Sequence, residues 1–303
     1  MQRVALVVGV SNARSLGWAS AKALVRSGEF QHVIVTYQNE RFKRSVDGLI
    51  KEEESSLRTN SILSPKEPLQ KMTSFSCDVS IEEEVETLFR EKIPSLLSNF
   101  NTQNIRKEPA KEAEMTLDAI VHSVAYAPPE AMKPVDNSDF PLLNTSLEDF
   151  TTAHSISAHS LLTTSKHALP LLSCGNSMRD RSPSITTLSY LGSTRAVTNY
   201  NVMGPAKASL EACVRGLAME LSPEPHSIRV NAVSAGPVNT LAARGIKNFT
   251  EMRNQSAMFS LMKRTITAEE VANTVEFLAS GKSSGITGQV LYCDGGYSSY
   301  GGG

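Results

Sequence analysis

Two tyrosines and a lysine carry the most telling spacing in this chain. Tyr190 stands in Leu188-Ser189-Tyr190-Leu191-Gly192, and Tyr200 and Lys207 bracket Tyr200-Asn201-Val202-Met203-Gly204-Pro205-Ala206-Lys207. A phenol with its ordinary pKa of about 10 is protonated at neutral pH, so it serves as a hydrogen-bond donor or, with help, as an acid. A lysine ammonium nearby lowers that pKa and can also hold sugar hydroxyls. Tyr200 and Lys207 are seven positions apart. At about 100° per residue that is roughly 700°, so if both are helical they share a face two turns apart. Taken alone, the pair reads more simply as a core tyrosine and a solvated lysine. Tyr190 adds a second phenol just past the carboxyl end of an apolar run, where open sheets bind ligands.

A second constellation lies near the amino terminus. Gly9-Val10-Ser11-Asn12-Ala13-Arg14-Ser15-Leu16-Gly17 joins an apolar run to helical Trp18–Ser27. A glycine-bearing turn at a helix N-terminus lets backbone N–H groups meet a pyrophosphate. The turn is not G-x-G-x-x-G, so an ordinary strand-to-helix turn is as good a reading. Downstream, Gln38 in Thr36-Tyr37-Gln38-Asn39-Glu40-Arg41 can bond a ribose hydroxyl or adenine edge without charge, whereas Arg41 and Lys43 can meet a 2′-phosphate. NAD and NADP both stay open at this point. Asp78, followed by Val79, either accepts from an adenine amino group or caps the acidic helix after it.

Other chemistries lack their residues. The six histidines show no zinc spacing: His154, His159 and His167 do not share a helical face, and no metal is expected. The four cysteines, Cys77, Cys174, Cys213 and Cys293, form no C-x-x-C pair and read as small buried hydrophobes in a reducing compartment. With 30 Lys+Arg against 31 Asp+Glu, the balance argues against a nucleic-acid binder that works by bulk phosphate neutralisation. No apolar run approaches the ~18–20 residues of a membrane span. Val4–Val8 is too short for a secretory signal and reads as a buried strand.

The elements that must position these residues follow from periodicity. Apolar runs recur at Val4–Val8, Val33–Tyr37, Thr73–Ser76, Ala119–His122, Ser184–Leu188, Ile228–Ala232 and Gln289–Tyr292. They lack strict polar alternation, as strands covered on both faces do, and helical stretches separate them. The pattern predicts an α/β fold: a doubly wound, Rossmann-type parallel sheet of seven strands flanked by helices, in a single domain over 1–303. An eightfold barrel is the alternative. Glu82–Ile93 reads as a helix with Val85, Leu88, Phe89 and Ile93 on one side, ended or kinked by Pro94. Polar inserts are expected at 51–71 and 99–114 as surface loops or short helices, with a third polar loop at 173–183. The stretch from about Asn201 to Leu221 is apolar almost all round, with Glu211 and Arg215 in the favourable i,i+4 order. Such a helix needs cover on both sides, and a partner subunit is the natural second cover.

With these residues assembled, the chain resembles bacterial-type enoyl-[acyl-carrier-protein] reductases, a divergent branch of the short-chain dehydrogenase/reductase superfamily. The resemblance rests on Leu188–Gly192, Asn199–Gly204, Ala206–Ala212 and Ser234-Ala235-Gly236-Pro237-Val238 with Thr240-Leu241-Ala242, and extends from Gly9 to Asp294-Gly295-Gly296. Its Tyr-x6-Lys spacing is specific, since ordinary members of the superfamily carry Tyr-x3-Lys. Carried over, it implies that Tyr200 bonds the thioester carbonyl, that Lys207 holds the nicotinamide ribose, and that Tyr190 is the second active-site tyrosine. Gly9, Ser15, Leu16, Gln38, Asp78, Val79, Ser123, Val124, Val238 and Thr240 correspond to dinucleotide contacts. Ala127 and Met203 join the two tyrosines beside the substrate. The implied reaction reduces a trans-2-enoyl thioester in fatty-acid elongation with NADH, with NADPH not excluded. Runner-up readings are a ketone/alcohol reductase of the same superfamily and a non-catalytic dinucleotide sensor. The resemblance further implies an apolar substrate-binding loop at about 238–263, an acyl-carrier-protein or CoA thioester partner, a homotetramer or at least a homodimer, and a cytoplasmic location. A plastid or mitochondrial matrix would require that a targeting peptide had been removed.

Overall fold

The structure is a computed structural model that describes residues 3–60, 71–104, 116–132, 141–172 and 182–301. Its centre is a sheet of seven strands: β1 (Arg3–Val8), β2 (His32–Tyr37), β3 (Lys71–Ser76), β4 (Thr116–His122), β5 (Ser184–Ser189), β6 (Arg229–Ala235) and β7 (Val290–Cys293). Each of the seven apolar runs becomes one of them. The order is β3-β2-β1-β4-β5-β6-β7, every neighbouring pair parallel. The barrel alternative falls, because the sheet has two open edges.

The pleat explains why the strands read as unbroken apolar runs. Along β1, Val4, Leu6 and Val8 enter one core, while Ala5 and Val7 enter the other. The second core is roofed by α1 (Leu16–Arg26), α2 (Glu40–Asn60) and α10 (Ala268–Ala279). The first is roofed by α3 (Glu82–Thr87) with α4 (Ile93–Asn104), by α7 (Ser160–Leu172) and by α8 (Met203–Leu221). Three further helices, α5 (Pro129–Met132), α6 (Leu147–His154) and α9 (Phe249–Phe259), lie at the carboxyl end of the strands, towards the site. The chain runs from β1 outward to β3 and then returns to place β4 against the other side of β1. That reversal opens a crevice at the carboxyl ends of β1 and β4.

Pro94 neither ends nor breaks its helix. A single π-turn, Leu88–Lys92, precedes it, with the Ile93 N–H donating to the Leu88 carbonyl, and the helix then continues as α4 to Asn104. The wider turn absorbs the strain that the proline ring would place on a regular ladder. Val85, Leu88, Phe89 and Ile93 are buried together, as their spacing requires. Of the expected inserts, residues 51–60 extend α2 and 99–104 extend α4; residues 61–70, 105–115 and 173–181 lie outside the described residues, Cys174 among them.

Helix α8 starts two residues later than its apolar pattern suggests, at Met203. Pro205 therefore falls in the first turn, where its missing N–H needs no partner. Glu211 does not pair with Arg215: it is buried and accepts from the Ser189 hydroxyl, whereas Arg215 faces out with Ala208, Ala212, Gly216, Met219 and Glu220. On the other side of the sheet, buried Arg229 of β6 donates to the carbonyls of Leu278, Ser280 and Ser283 and to the Ser283 hydroxyl. These bonds satisfy the carboxyl end of α10 and fix it to the sheet. No described helix is long and apolar enough to cross a membrane.

Candidate active site

At the switch point the backbones of two loops nearly touch. Gly9 has a φ of 96°, and a Cβ there would lie 2.7 Å from the Ser123 carbonyl oxygen and 2.8 Å from Val124 Cγ2. Only glycine fits. The Gly9 and Val10 N–H groups donate to the Thr36 side chain and carbonyl, which pins the turn to the end of β2. Ser15 is the N-cap of α1, its Oγ accepting from the Trp18 N–H and donating to the Asn12 carbonyl. The first-turn N–H groups of Leu16 and Gly17 consequently face the crevice without intrahelical acceptors.

Between the carboxyl ends of β2 and β3 the Gln38 Nε2 donates to Asp78 Oδ2 at 2.8 Å, while Asp78 Oδ1 accepts from the Ser80 N–H and hydroxyl. Asp78 is thus not the N-cap of α3, a position held by Ile81 with no side-chain bond. Burial raises the Asp78 pKa, but the bonds from Ser80 and Gln38 outweigh it and hold the carboxyl below its ordinary value. Lys43 is paired with Glu40 at 3.4 Å, so a carboxylate sits beside the only lysine the sequence offered there for a 2′-phosphate. After β6, Val238 packs on the core and Thr240 Oγ1 accepts from the Ala243 N–H, starting the short turn Ala242–Gly245.

The two tyrosines meet. Their ring centroids are 4.7 Å apart at 64°, an edge-on contact, inside a small core of Ala131, Met132, Ala153, Val202 and Met203, with Ala127 and Ile246 at its border. Tyr200 is not helical. It lies in a turn before α8 in which the Tyr200 carbonyl accepts from Met203 and the Asn201 carbonyl from Gly204. The supposed shared helical face with Lys207 does not exist. Nor does Lys207 lower the phenol's pKa: burial, then the neighbouring Tyr190, then Glu211 all push it well above the ordinary value. Tyr190 is likewise pushed up to about 12, mainly by burial and then by Tyr297. Both phenols are neutral donors at any physiological pH.

Lys207 is almost fully buried, against the expectation of a solvated lysine. Its ammonium donates to the Leu188 carbonyl at 2.7 Å, and burial lowers its pKa to about 8 although Glu211 pulls the other way. It stands beneath the loop that carries Tyr190. Beside it, His122 is bonded to Thr187 and Ser160 and kept neutral, its pKa near 3, by burial and by the Lys207 charge. Among the described residues no group of three or more His, Cys, Asp or Glu side chains is arranged to hold a metal ion.

Several participants were invisible in the spacing. Gly192 is one: a Cβ there would lie 2.4 Å from Tyr200 Cδ1, so its small size makes room for the ring. A π-turn at Ser155–His159 presents Ser157, whose hydroxyl accepts from the Tyr126 N–H and donates to the Tyr126 carbonyl, shaping the loop that carries Ala127. From the apolar segment after β6, Met252 of α9 brings its sulfur to 3.6 Å from the Tyr190 hydroxyl. Met258, Leu261 and Met262 of the same segment are exposed. Asn199 and Asn201, on either side of Tyr200, have positive φ, and an Asn-x-Asn tripeptide is the signal that should have announced a turn there instead of a helix.

Comparison with known proteins gives the family. A family model described as Enoyl-(Acyl carrier protein) reductase matches residues 102–298. An enoyl-[acyl-carrier-protein] reductase [NADH] of Neisseria meningitidis serogroup B is 38% identical over 97% of this chain and 94% of its own length. One from Escherichia coli is 36% identical over 97% and 93%. Among solved structures, the enzyme of that name from Aquifex aeolicus superposes with a TM-score of 0.77 at 34% identity, covering 100% of this chain and 98% of that one. A relative from Anaplasma phagocytophilum, solved in complex with NAD, gives 0.76 at 31% identity, over 99% and 93%. With a matching family model and relatives that align along nearly its whole length, this chain belongs to the enoyl-[acyl-carrier-protein] reductase family.

Proposed function

We propose that the chain reduces trans-2-enoyl thioesters to saturated acyl thioesters with NADH in fatty-acid elongation, the β-carbon gaining a hydride and the α-carbon a proton. The observation that carries this reading is the buried, neutral Tyr200 phenol set edge-on to Tyr190 beyond the carboxyl end of β5. A thioester oxygen gains negative charge as the alkene is saturated, and a preorganised donor in a water-poor site stabilises it, typically by ~10²–10³-fold in rate. A phenol held far above its ordinary pKa keeps its proton, so Tyr200 donates a hydrogen bond without becoming phenolate. Tyr190 and Met252 fill the space beside it and keep water away.

The residues fit a dinucleotide. The cradle at Gly9, which a Cβ would fill, lets a pyrophosphate approach the α1 N-terminus between Ser15, Leu16, Ser123 and Val124. Gln38, oriented by Asp78 with Val79 behind it, suits the adenosine end, and Glu40 beside Lys43 disfavours a 2′-phosphate. Lys207, Val238 and Thr240 would hold the nicotinamide half, and Ala127 and Met203 the acyl group beside Tyr190 and Tyr200. NADH, when bound, supplies the hydride.

The same proposal covers the finer partners. Exposed Arg244 and Lys247 at the rim suit an acidic carrier protein, and the Ala208, Ala212, Gly216 and Met219 face of α8 suits a second subunit in a homotetramer or homodimer, in the cytoplasm. Mixing the protein with NADH and an enoyl thioester, carrier- or CoA-bound, and following the loss of reduced-nicotinamide absorbance tests the reaction. Turnover of a ketone instead would assign it to the ketone reductases, and binding of NADH without turnover of either would make it a sensor.

A further inference from the structure

Tyr200 is flanked by two asparagines in the left-handed region, Asn199 at φ 63° and Asn201 at φ 38°. Asparagine tolerates that backbone better than most residues, usually because its side chain bonds its own turn. Neither carboxamide nitrogen is used that way. Asn199 Nδ2 donates to the Lys247 carbonyl at 2.9 Å, and Asn201 Nδ2 reaches the Ala131 and Met132 carbonyls at 3.3 and 3.2 Å. The turn that carries Tyr200 is therefore tied to two separate walls, the apolar segment after β6 and the end of α5.

The first tie joins two parts that both border the tyrosines. Lys247 adjoins Ile246, which packs against the Tyr190–Tyr200 core, and lies two residues before α9, which carries Met252 to Tyr190. This segment borders the two tyrosines, through Ile246 at their core and Met252 at the Tyr190 hydroxyl. We propose that Asn199 is a positioning residue, a latch through which closure of the 246–259 segment over an acyl chain fixes the turn that aims Tyr200. The inference rests on the reading of Tyr200 as the donor to the thioester oxygen. When the segment lifts, the Lys247 carbonyl leaves Asn199 and the turn loosens; when a chain draws the segment down, the bond re-forms.

Three substitutions separate the latch from the backbone. Asn199→Gly keeps a positive φ without strain and removes the carboxamide; Asn199→Asp keeps size and backbone preference but offers no N–H; Asn199→Ala removes the carboxamide and strains the backbone. The proposal expects the Gly and Asp variants to raise KM for an enoyl thioester of about twelve carbons roughly three- to tenfold, the net worth of one hydrogen bond. It expects kcat to fall several-fold as well, because the turn that aims Tyr200 is less firmly held, and faster amide hydrogen exchange across residues 244–252. If only Asn199→Ala is impaired, the role is conformational and the latch is refuted. If KM and exchange are unchanged in the Gly and Asp variants while Tyr200→Phe is inactive, the latch is refuted and the reading of Tyr200 stands. Full activity of Tyr200→Phe removes both.

Discussion

Gly192→Ala is the sharpest test of how tightly Tyr200 is placed. Gly192 lies in the short turn Leu191–Ser193 after β5, and its φ is not positive, so alanine brings no backbone strain and the effect is purely steric. The added Cβ would stand 2.4 Å from Cδ1 and 2.7 Å from Cε1 of the Tyr200 ring, and a Cβ on Gly204 at the start of α8 would in turn lie 3.0 Å from the Gly192 carbonyl oxygen, so the turn has little room on that side. Ordinary contact begins near 3.4 Å, so ring or turn must yield by about 1 Å. The ring cannot withdraw freely, because Val202, Met203, Ala153 and Tyr190 enclose it. Such overpacking costs about 1–3 kcal/mol of stability, and a 1 Å misplacement of a reacting group costs on the order of 100-fold in rate. The variant is expected to fold with a slightly lowered Tm, to bind NADH with Kd within about threefold of the parent, and to lose turnover by about two orders of magnitude in the nicotinamide absorbance assay. A kcat within about twofold of the parent would refute the claim that this ring's position governs the rate.

Tyr200→Phe removes the donor with little change of shape, so kcat should fall by ~10²–10³-fold while NADH binding, read by fluorescence titration, stays the same. Lys207 has its pKa lowered to about 8 in the fold, against about 10.5 when unfolded. NADH should therefore bind more weakly as pH rises through about 8 and the ammonium is lost, and Lys207→Ala should weaken binding and turnover at every pH. The stability effect has the opposite sign: between about pH 8 and 10.5 the unfolded chain holds the extra proton, so stability rises with pH, and Lys207→Met abolishes that rise in urea titrations. Arg229→Ala leaves the carbonyls at the end of α10 without their donor and should cost about 3 kcal/mol, roughly 6–12 °C in Tm for a chain of this size, with kcat of the folded protein little changed.

The sheet was legible because a parallel strand covered on both faces leaves the same mark everywhere: each of the seven apolar runs became a strand, with no end displaced by more than three residues. Helix ends were less legible. At Pro94 the chain answered a proline with a π-turn, a response that depends on the packing of Leu88 and Phe89 against the sheet and that no local rule contains. At α8 the apolar pattern ran back to Asn201, although the carbonyls of Tyr200 and Asn201 close a turn there and the helix begins only at Met203.

That small displacement changes the chemistry. Placed on one helical face, Tyr200 and Lys207 would form a pair in which the ammonium acidifies the phenol. Placed in a turn, Tyr200 points into its own apolar core and Lys207 is drawn to the Leu188 carbonyl, with Glu211 and His122 as its charged and polar surroundings. Spacing singled these residues out, because side-chain type and separation are written in the chain. Their division of labour was not, because it follows from burial, which depends on what packs above and below. Desolvation pushes the phenol up and the lysine down, and each shift exceeds the effect of the neighbouring charges. Tyr200 is left as a phenol that keeps its proton, and Lys207 as a cation that titrates near pH 8 while bonded to the Leu188 carbonyl.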